Sequence, residues 1–441
     1  MSVKLVRMNA FMMNTVAHQS PGLWRHPRDH SINYNQLKHW IEIAKVLEQG
    51  LFDAVFLADV YGVYDVYGGN WNAAARGGVQ LPIGDPFVLI PAMAAVTENL
   101  CFGVTGNITH EPPLAFARRM TTLDHLTKGR LAWNVVTGYL ESAAKGQGRD
   151  KLNSHDDRYA IAEDFAELVY KLWETSWNKK AVRRDKLAGV FIDPSNLTKI
   201  DHHGTYFRLD GIALAEPSPQ RTPVIFQAGT SSRGQNFAAK HAECVFVAGP
   251  SAAVIAPWVR ELRSQAKTYG REPGDILIYA EVTVVPGVTE KEAHAKVAEY
   301  NRFIDLEGAL AMVSGWTGID FSHLSWDDPI GYEENNALRS HLEAITTADP
   351  TKVWTKRTLA EFASIGGIGP VISGDPKQCA DALINFMVKQ ILMVLILLMP
   401  YGRKVLLISL NLWCRNFKLE DDIKALMNRD QCVKSFGEEV H

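Results

Sequence analysis

The sequence predicts an α/β fold, a (β/α)8 TIM barrel with insertions. Short apolar runs rich in β-branched and aromatic residues alternate with longer stretches of helical period. The runs are apolar on both faces, as strands of a buried parallel sheet are. The residues just after each run are unusually polar, and that is the end of a barrel strand where chemistry is carried. With 441 residues, 46% of them apolar and 22% charged, the chain exceeds the ~250 residues such a barrel needs.

Taken in order, the strands are read at KLVRMNAF (4–11), DAVFLAD (53–59), CFGVTGN (101–107), RLAWNVV (130–136), PVIFQAG (223–229), CVFVAG (244–249) and ILIYAEVTVV (276–285). Helical period between them predicts helices over Asn35–Glu48, Pro86–Val96, Pro112–Leu126, Asp156–Trp173, Ser232–His241, Ala253–Tyr269 and Glu290–Phe303. One more, Pro376–Val388, follows SGDP, where Asp375 serves as N-cap and Pro376 as the first helical residue. An eighth strand is expected next, in the stretch VKQILMVLILLMPYGRKVLLISLNLWCRN (388–416). Two segments read as insertions, 178–218 and 306–374. No repeat, low-complexity tract or Gly/Ser linker divides residues 1–388, which read as one barrel.

A formal charge of −3 gives no electrostatic reason to expect nucleic acid or an anionic membrane as partner. The five cysteines, Cys101, Cys244, Cys379, Cys414 and Cys432, lack CxxC or Cys/His spacing, which fits reduced thiols. No secretory signal is visible at the N-terminus, so the cytoplasm is the expected compartment. In 388–416 the longest uncharged piece, Gln390 to Gly402, contains Pro400 and falls short of the ~20 apolar residues a membrane span needs. The first strand lacks an H-x-H pair and no carboxylate/His cluster has ligand spacing, so no metal site is expected and a metal-dependent barrel hydrolase ranks low.

The strand ends supply the candidate site. The first runs into MMNTVAHQSPGLWRHP, with Asn14, Thr15 and His18; the second ends at Asp59, before the tyrosine-rich VYGVYDVYGGNW. The third ends in VTGNITHEPP, the fourth in NVVTGY and the fifth in FQAGTSSRG. Glycine and small hydroxyl residues between a strand and a helix leave backbone N–H groups free for an anion such as phosphate. A plain turn with an N-cap explains the same residues equally well. Asp59 is either a satisfied loop carboxylate or an acceptor for a bound ring, and His18 either a hydrogen-bonded loop histidine or a catalyst. Tyr61, Tyr64 and Tyr67 either cover the barrel mouth or wall an apolar ligand. His155 and Tyr159, four apart in HDDRYAIAEDF, share a helix face and can reach one anion, or can be solvated.

Together, NAFMMN…H…GLWRHP, FDAVFLADV, ARRMTTLDHLTKGRLAWNVVT, HDDRYAIAEDF, YKLWE, PSPQRTPVIFQAG and SSRGQNFAAKHAECVF resemble the bacterial-luciferase-like flavin monooxygenases. The likeness, over about residues 5–388, is to the branch of nitrilotriacetate monooxygenase component A, dibenzothiophene-sulfone monooxygenase and long-chain alkane monooxygenase. It implies a barrel that takes reduced FMN (FMNH2) from a separate NAD(P)H:flavin reductase, uses O2 and oxygenates a small organic substrate, commonly as a homo-oligomer. By matching positions it implies flavin contacts at Asp59, Thr105, Asn134, Thr137, His155, Tyr159, Gly229 and Ser231. Among these, Ser231, His155 and Tyr159 would hold the phosphate. It implies catalytic roles for His18 and Tyr64, with Thr15, Gln80, Tyr139 and Met312 on the substrate side. The protein's task would be to exclude water around the oxygen-reactive cofactor. Where alkane-oxidising members place a cysteine this chain has Thr15, and where they place histidines it has Tyr139 and Met312, so the substrate does not carry over.

Family members continue past the helix matching Pro376–Val388 with a strand reading D-G-F-N-L and a helix containing V-P-E-L-Q; this chain does not. A permitted coding of Lys389–Val394, AAA CAG ATA TTG ATG GTT, read one base earlier after a G, gives E-T-D-I-D-G. In the same frame LILLMPYG recodes as F-N-L-A-Y-A-I-W, and NLWCRNFKLE as E-S-L-V-P-E-L-Q-I-R-G. Residues 389–441 are therefore expected to be a frameshifted, non-homologous tail, with ILMVLILL apolar enough to fill the eighth strand position. The competing functional readings are a catalytically inactive barrel and a deazaflavin-dependent reductase.

Overall fold

The computed structural model describes residues 7–229, 231–330, 353–388 and, for the backbone, 393–397. Eight parallel strands form a closed ring: β1 (Met8–Met13), β2 (Ala54–Ala58), β3 (Cys101–Asn107), β4 (Leu131–Val136), β5 (Val224–Gln227), β6 (Cys244–Val247), β7 (Leu277–Pro286) and β8 (Met393–Leu397). Neighbours in sequence pair along the ring. Closure comes from β8, which pairs with β7 through Glu281↔Leu395 and with β1 through Asn9↔Leu395. The ring therefore leaves no unpaired ladder edge between β7 and β1. The apolar stretch after residue 390 does fill the eighth strand position.

Alternation along the strands builds two cores. Val55, Leu57, Phe102, Val104, Trp133 and Val135 point outward, against helix residues such as Trp40, Phe116, Phe165 and Trp173. Phe11, Phe56, Ala132, Phe226, Cys244 and Tyr279 point inward and plug the barrel. Two of the plug's ring pairs meet edge-on, Phe11–Phe56 at 5.7 Å and Phe56–Phe226 at 5.3 Å between centroids, an arrangement aromatic quadrupoles favour.

Helices Leu37–Gln49, Pro113–Thr127, Ser232–His241, Ala252–Thr268, Glu290–Asn301 and Pro376–Val388 lie within a few residues of their predicted bounds. The helix His155–Tyr170 ends in a π-turn over Lys171–Thr175. The helix expected over Pro86–Val96 is shorter, Ile90–Ala94. Asp85 Oδ1 accepts the Phe87 N–H at 2.8 Å, and this side chain-to-backbone bond holds the preceding residues in a turn.

The insertion at 178–218 forms two antiparallel ribbons, Val182–Asp185 with Val190–Ile192 and Ile200–His203 with Arg208–Gly211. Between β7 and β8 lie helices Leu306–Thr317 and Lys356–Phe362 and a short strand, Val371–Gly374, which extends the sheet beside the last residues of β7. Among the described residues no helix is long and apolar enough to cross a membrane.

Candidate functional site

Above the aromatic plug, the strand ends enclose a cavity of about 250 Å³. Of the residues singled out in the sequence, Asp59, Tyr61, Thr137, Tyr139, His155, Tyr159, Gly229 and Ser231 line it. They come from β2, β4, β5 and the helix His155–Tyr170, so the barrel brings together positions up to 172 residues apart.

The β5 corner is the most tightly built part. Gln227, the last residue of β5, accepts the Gly229 N–H at 2.7 Å and donates to the Tyr159 hydroxyl at 3.3 Å. Ser231 caps the next helix, its Oγ accepting the Gly234 N–H at 3.0 Å. Ser231 Oγ also lies 3.0 Å from His155 Nε2, and His155 Nδ1 lies 3.0 Å from Asp156 Oδ1. Glycine is required at two places here. A Cβ on Gly229 would run into Gln227 Nε2 and come within 2.6 Å of the Tyr159 hydroxyl, and one on Gly234 would meet that hydroxyl at 2.6 Å. The strand end, the helix N-terminus and Tyr159 thus converge with almost no intervening side chain. Arg158, on the same wall, donates to the Asn153 carbonyl at 2.8 Å, while its Nε is buried without a partner among the described residues.

This corner suits an anion. It offers a capped helix N-terminus with a positive dipole end, a serine hydroxyl, an imidazole and a guanidinium. The orphaned Arg158 Nε is a buried donor of the kind that native structures normally satisfy. The residues therefore fit the phosphate of a flavin mononucleotide.

Asp59 stands at the end of β2. Burial pushes its carboxyl up to about 7; a hydrogen bond from the Val60 backbone opposes this, and the Asp85 and Glu111 carboxylates reinforce it. Near neutral pH it can thus donate or accept. Thr105 and Asn134 face each other across β3 and β4. Asn134 Nδ2 donates to Thr105 Oγ1 at 2.9 Å, leaving Asn134 Oδ1 buried and without a partner among the described residues. Both side chains are buried and neither lines the cavity.

On the opposite side Tyr139 forms the wall and Tyr64 lies behind it. The Trp316 indole donates to the Tyr64 hydroxyl at 3.2 Å, and that hydroxyl donates to Gln80 Oε1 at 3.1 Å. The single Tyr64 proton is then committed, so the Tyr139 hydroxyl, 2.6 Å away, is the donor to it. Burial holds both phenols protonated, pushing Tyr64 up to about 12 and Tyr139 well above the usual tyrosine range. Gln80 Nε2 in turn donates to the His18 carbonyl at 2.9 Å.

The His18 ring packs edge-on to Phe11 at 4.4 Å. Burial lowers its pKa to about 3, so it is neutral, and its Nδ1 has no partner among the described residues. Thr15 gives its hydroxyl proton to the Pro82 carbonyl at 2.7 Å. Met312 is fully buried in an apolar cluster with Met13, Val60, Tyr64 and Leu140. His18, Tyr64, Gln80, Thr15 and Met312 thus stand behind the cavity wall.

Cavity residues outside the sequence-derived set include Gln19, Arg158, Gln227, Glu281 and Trp316. Gln227 and Glu281 carried a readable signal, since each is a polar residue within an otherwise apolar strand run. Gln19 and Trp316 come from a loop and an insertion helix, whose approach no local pattern reveals.

Comparison with known proteins identifies the family of the fold. The family model described as "Luciferase-like monooxygenase" matches residues 11–390. Dimethyl-sulfide monooxygenase of Hyphomicrobium sulfonivorans is 49% identical over 380 residues, covering 86% of this chain and 79% of that protein. Long-chain alkane monooxygenase of Geobacillus thermodenitrificans (strain NG80-2) is 50% identical over 328 residues, 74% of each. The crystal structure of DmoA from Hyphomicrobium sulfonivorans superposes with a TM-score of 0.86 at 45% identity, covering 93% of this chain and 87% of that one. That of riboflavin lyase (RcaE) with modified FMN and substrate riboflavin does so at 0.81 and 36% identity, covering 89% and 87%. A closed eight-stranded ring, a cavity at its strand ends and a family match over most of the length lead to one conclusion: the chain belongs to the luciferase-like monooxygenase family.

Proposed function

We propose that the chain is an FMN-dependent monooxygenase that accepts FMNH2 from a separate NAD(P)H:flavin reductase and transfers one atom of O2 to a small organic substrate. The observation that carries this reading is the β5 corner, where Gly229, Ser231, His155, Tyr159 and Arg158 line the cavity beside a helix N-terminus, with Arg158 Nε buried and unpartnered among the described residues. A relative 36% identical, riboflavin lyase, has been crystallised with modified FMN.

In this reading Ser231, the Gly229 region, His155, Tyr159 and Arg158 hold the phosphate. Asp59 and Thr137 serve the flavin ring from the cavity lining, and the Thr105–Asn134 pair, buried and outside that lining, backs the ring site. When bound, reduced flavin supplies two electrons and the atom at which O2 reacts. The protein orients the ring, excludes water and controls protons. Tyr139, kept protonated and tethered by its hydroxyl to Tyr64, walls the substrate side, and neutral His18 stands outside the cavity lining with Nδ1 unpartnered among the described residues.

Titration of the protein with FMN, followed by oxygenation assays with photoreduced FMN across small thioethers, amines and alkanes, tests the reading. Stoichiometric FMN binding and oxygenated product are expected; absence of FMN binding overturns it. We also propose that residues 389–441 are an out-of-frame segment, a reading supported by the family match ending at residue 390. Sequencing the gene and transcript around Lys389 checks this, and absence of an intact alternative frame refutes it. A cytoplasmic homo-oligomer is the state we propose for the working enzyme.

A further inference from the structure

The β7 wall of the cavity contains a carboxyl group that the reading above leaves without a task. Glu281 lies on the inward face of β7, two residues beyond plug residue Tyr279, and is 1% exposed. Two other buried carboxylates, Asp124 and Asp164, are ringed by donors. Asp124 takes the Gln220 backbone N–H and side-chain amide, and Asp164 takes His202 and the Tyr206 and Phe207 N–H groups. Among the described residues Glu281 has only the Gln19 side chain as a partner, and its Oε1 is buried without one, although the residue lines the cavity.

The loop SIGGIGP (364–370) is shaped around this group. A Cβ on Gly369 would lie 2.9 Å from the Glu281 carbonyl and 3.0 Å from its Cγ. One on Gly367 would run into Gln19 Oε1, and one on Gly366 into Thr283 Oγ1. Gly366 and Gly367 also take positive φ, 73° and 65°, which other residues rarely adopt. Three glycines thus make room for three inward polar side chains, Gln19, Glu281 and Thr283, each with an oxygen lacking a partner among the described residues. A buried polar group kept open toward a cavity is what a ligand contact requires.

The edge of a flavin ring carries carbonyl and imine acceptors. Resting on the reading of the cavity as a flavin site, we propose that Glu281 is a cofactor-binding residue that keeps its proton and donates it as a hydrogen bond to an acceptor atom of the flavin ring, with Gln19 fixing its orientation. The carboxyl is suited to this, because burial raises its pKa to about 8, with Gln19 opposing. The titratable side chains sharing the cavity are Asp59, Tyr61, Tyr139, His155, Arg158 and Tyr159. Asp59 also titrates near neutrality and must be silenced in the test.

The experiment is isothermal titration of oxidised FMN into the full chain at pH 6.5 and 9.5, in an Asp59→Asn background, with Glu281 intact, Glu281→Gln or Glu281→Ala. Thermal melts check that each variant is folded. With Glu281 intact, binding is expected to weaken ~2- to 10-fold at pH 9.5, the value of one net hydrogen bond. Glu281→Gln keeps an N–H donor that does not titrate and should show a smaller pH dependence. Glu281→Ala should be weak at both pH values. Infrared difference spectra should show a protonated carboxyl at pH 6.5 that Glu281→Gln removes. FMN binding with the same pH profile in all three proteins overturns the inference and spares the flavin-site reading; no FMN binding with Glu281 and Asp59 both native overturns both.

Discussion

Replacing Ser231 isolates the phosphate-binding role of the β5 corner. Its hydroxyl both caps the helix Ser232–His241 and lies 3.0 Å from His155 Nε2. Losing the cap to alanine costs about 1 kcal/mol of stability, whereas glycine costs only a few tenths. Ser231→Gly therefore removes the anion contact with little structural penalty. A hydrogen bond to a charged group is worth about 1.5–3 kcal/mol, so FMN affinity should fall roughly 10- to 150-fold. Riboflavin, which has the same ring and no phosphate, supplies the control. Quenching of flavin fluorescence should show FMN binding collapsing toward that of riboflavin in Ser231→Gly, with riboflavin binding nearly unchanged. Equal weakening of both ligands, or of neither, would refute the assignment of this corner to phosphate.

Tyr64→Phe strips the only donor to Gln80 Oε1 among the described residues and the anchor of Tyr139. About 1–3 kcal/mol of stability should be lost, measured by the denaturant midpoint, and an unchanged midpoint would mean the network is not formed. Glu281→Gln should also alter stability against pH. The folded pKa, about 8, lies above the ordinary carboxylate value, so the group's contribution is complete below about 4.5 and is lost as pH rises through 8, at up to ~1.4 kcal/mol per pH unit. Wild-type unfolding free energy should decline more steeply across that window than that of Glu281→Gln; parallel curves would contradict the assignment. Leu395→Pro removes a ladder N–H in the strand bridging β7 and β1. It should cost ~3 kcal/mol or more and reduce soluble yield, whereas normal yield and midpoint would show that β8 does not close the ring.

The barrel was legible because its determinants are local. A doubly buried strand must be apolar on both faces, and seven such runs stand out. The eighth was legible for the same reason, since ILMVLILL satisfies the slot by hydrophobicity alone. The helix from Pro86 was over-read because Asp85 diverts its first turn, a competition that periodicity does not register. In the site, the strand-end positions Asp59, Thr137, Gly229 and Ser231 were legible, as the fold itself dictates where strand ends point. The reach of His155 and Tyr159 to Ser231 depends on a helix 76 residues earlier in the chain. Glu281 was visible as the lone acid in ILIYAEVTVV. Its partner Gln19 and the accommodating SIGGIGP loop lie far away in sequence, and only the folded chain brings them to it.

In the proposed function the strand-end cavity holds FMN with its phosphate at the β5 corner. A crystal structure of the protein soaked with FMN tests this directly. Electron density for the phosphate against Ser231, Gly229 and His155, with the ring over the aromatic plug, is the predicted result. Density for the cofactor at another place, or none at saturating FMN, would contradict the account.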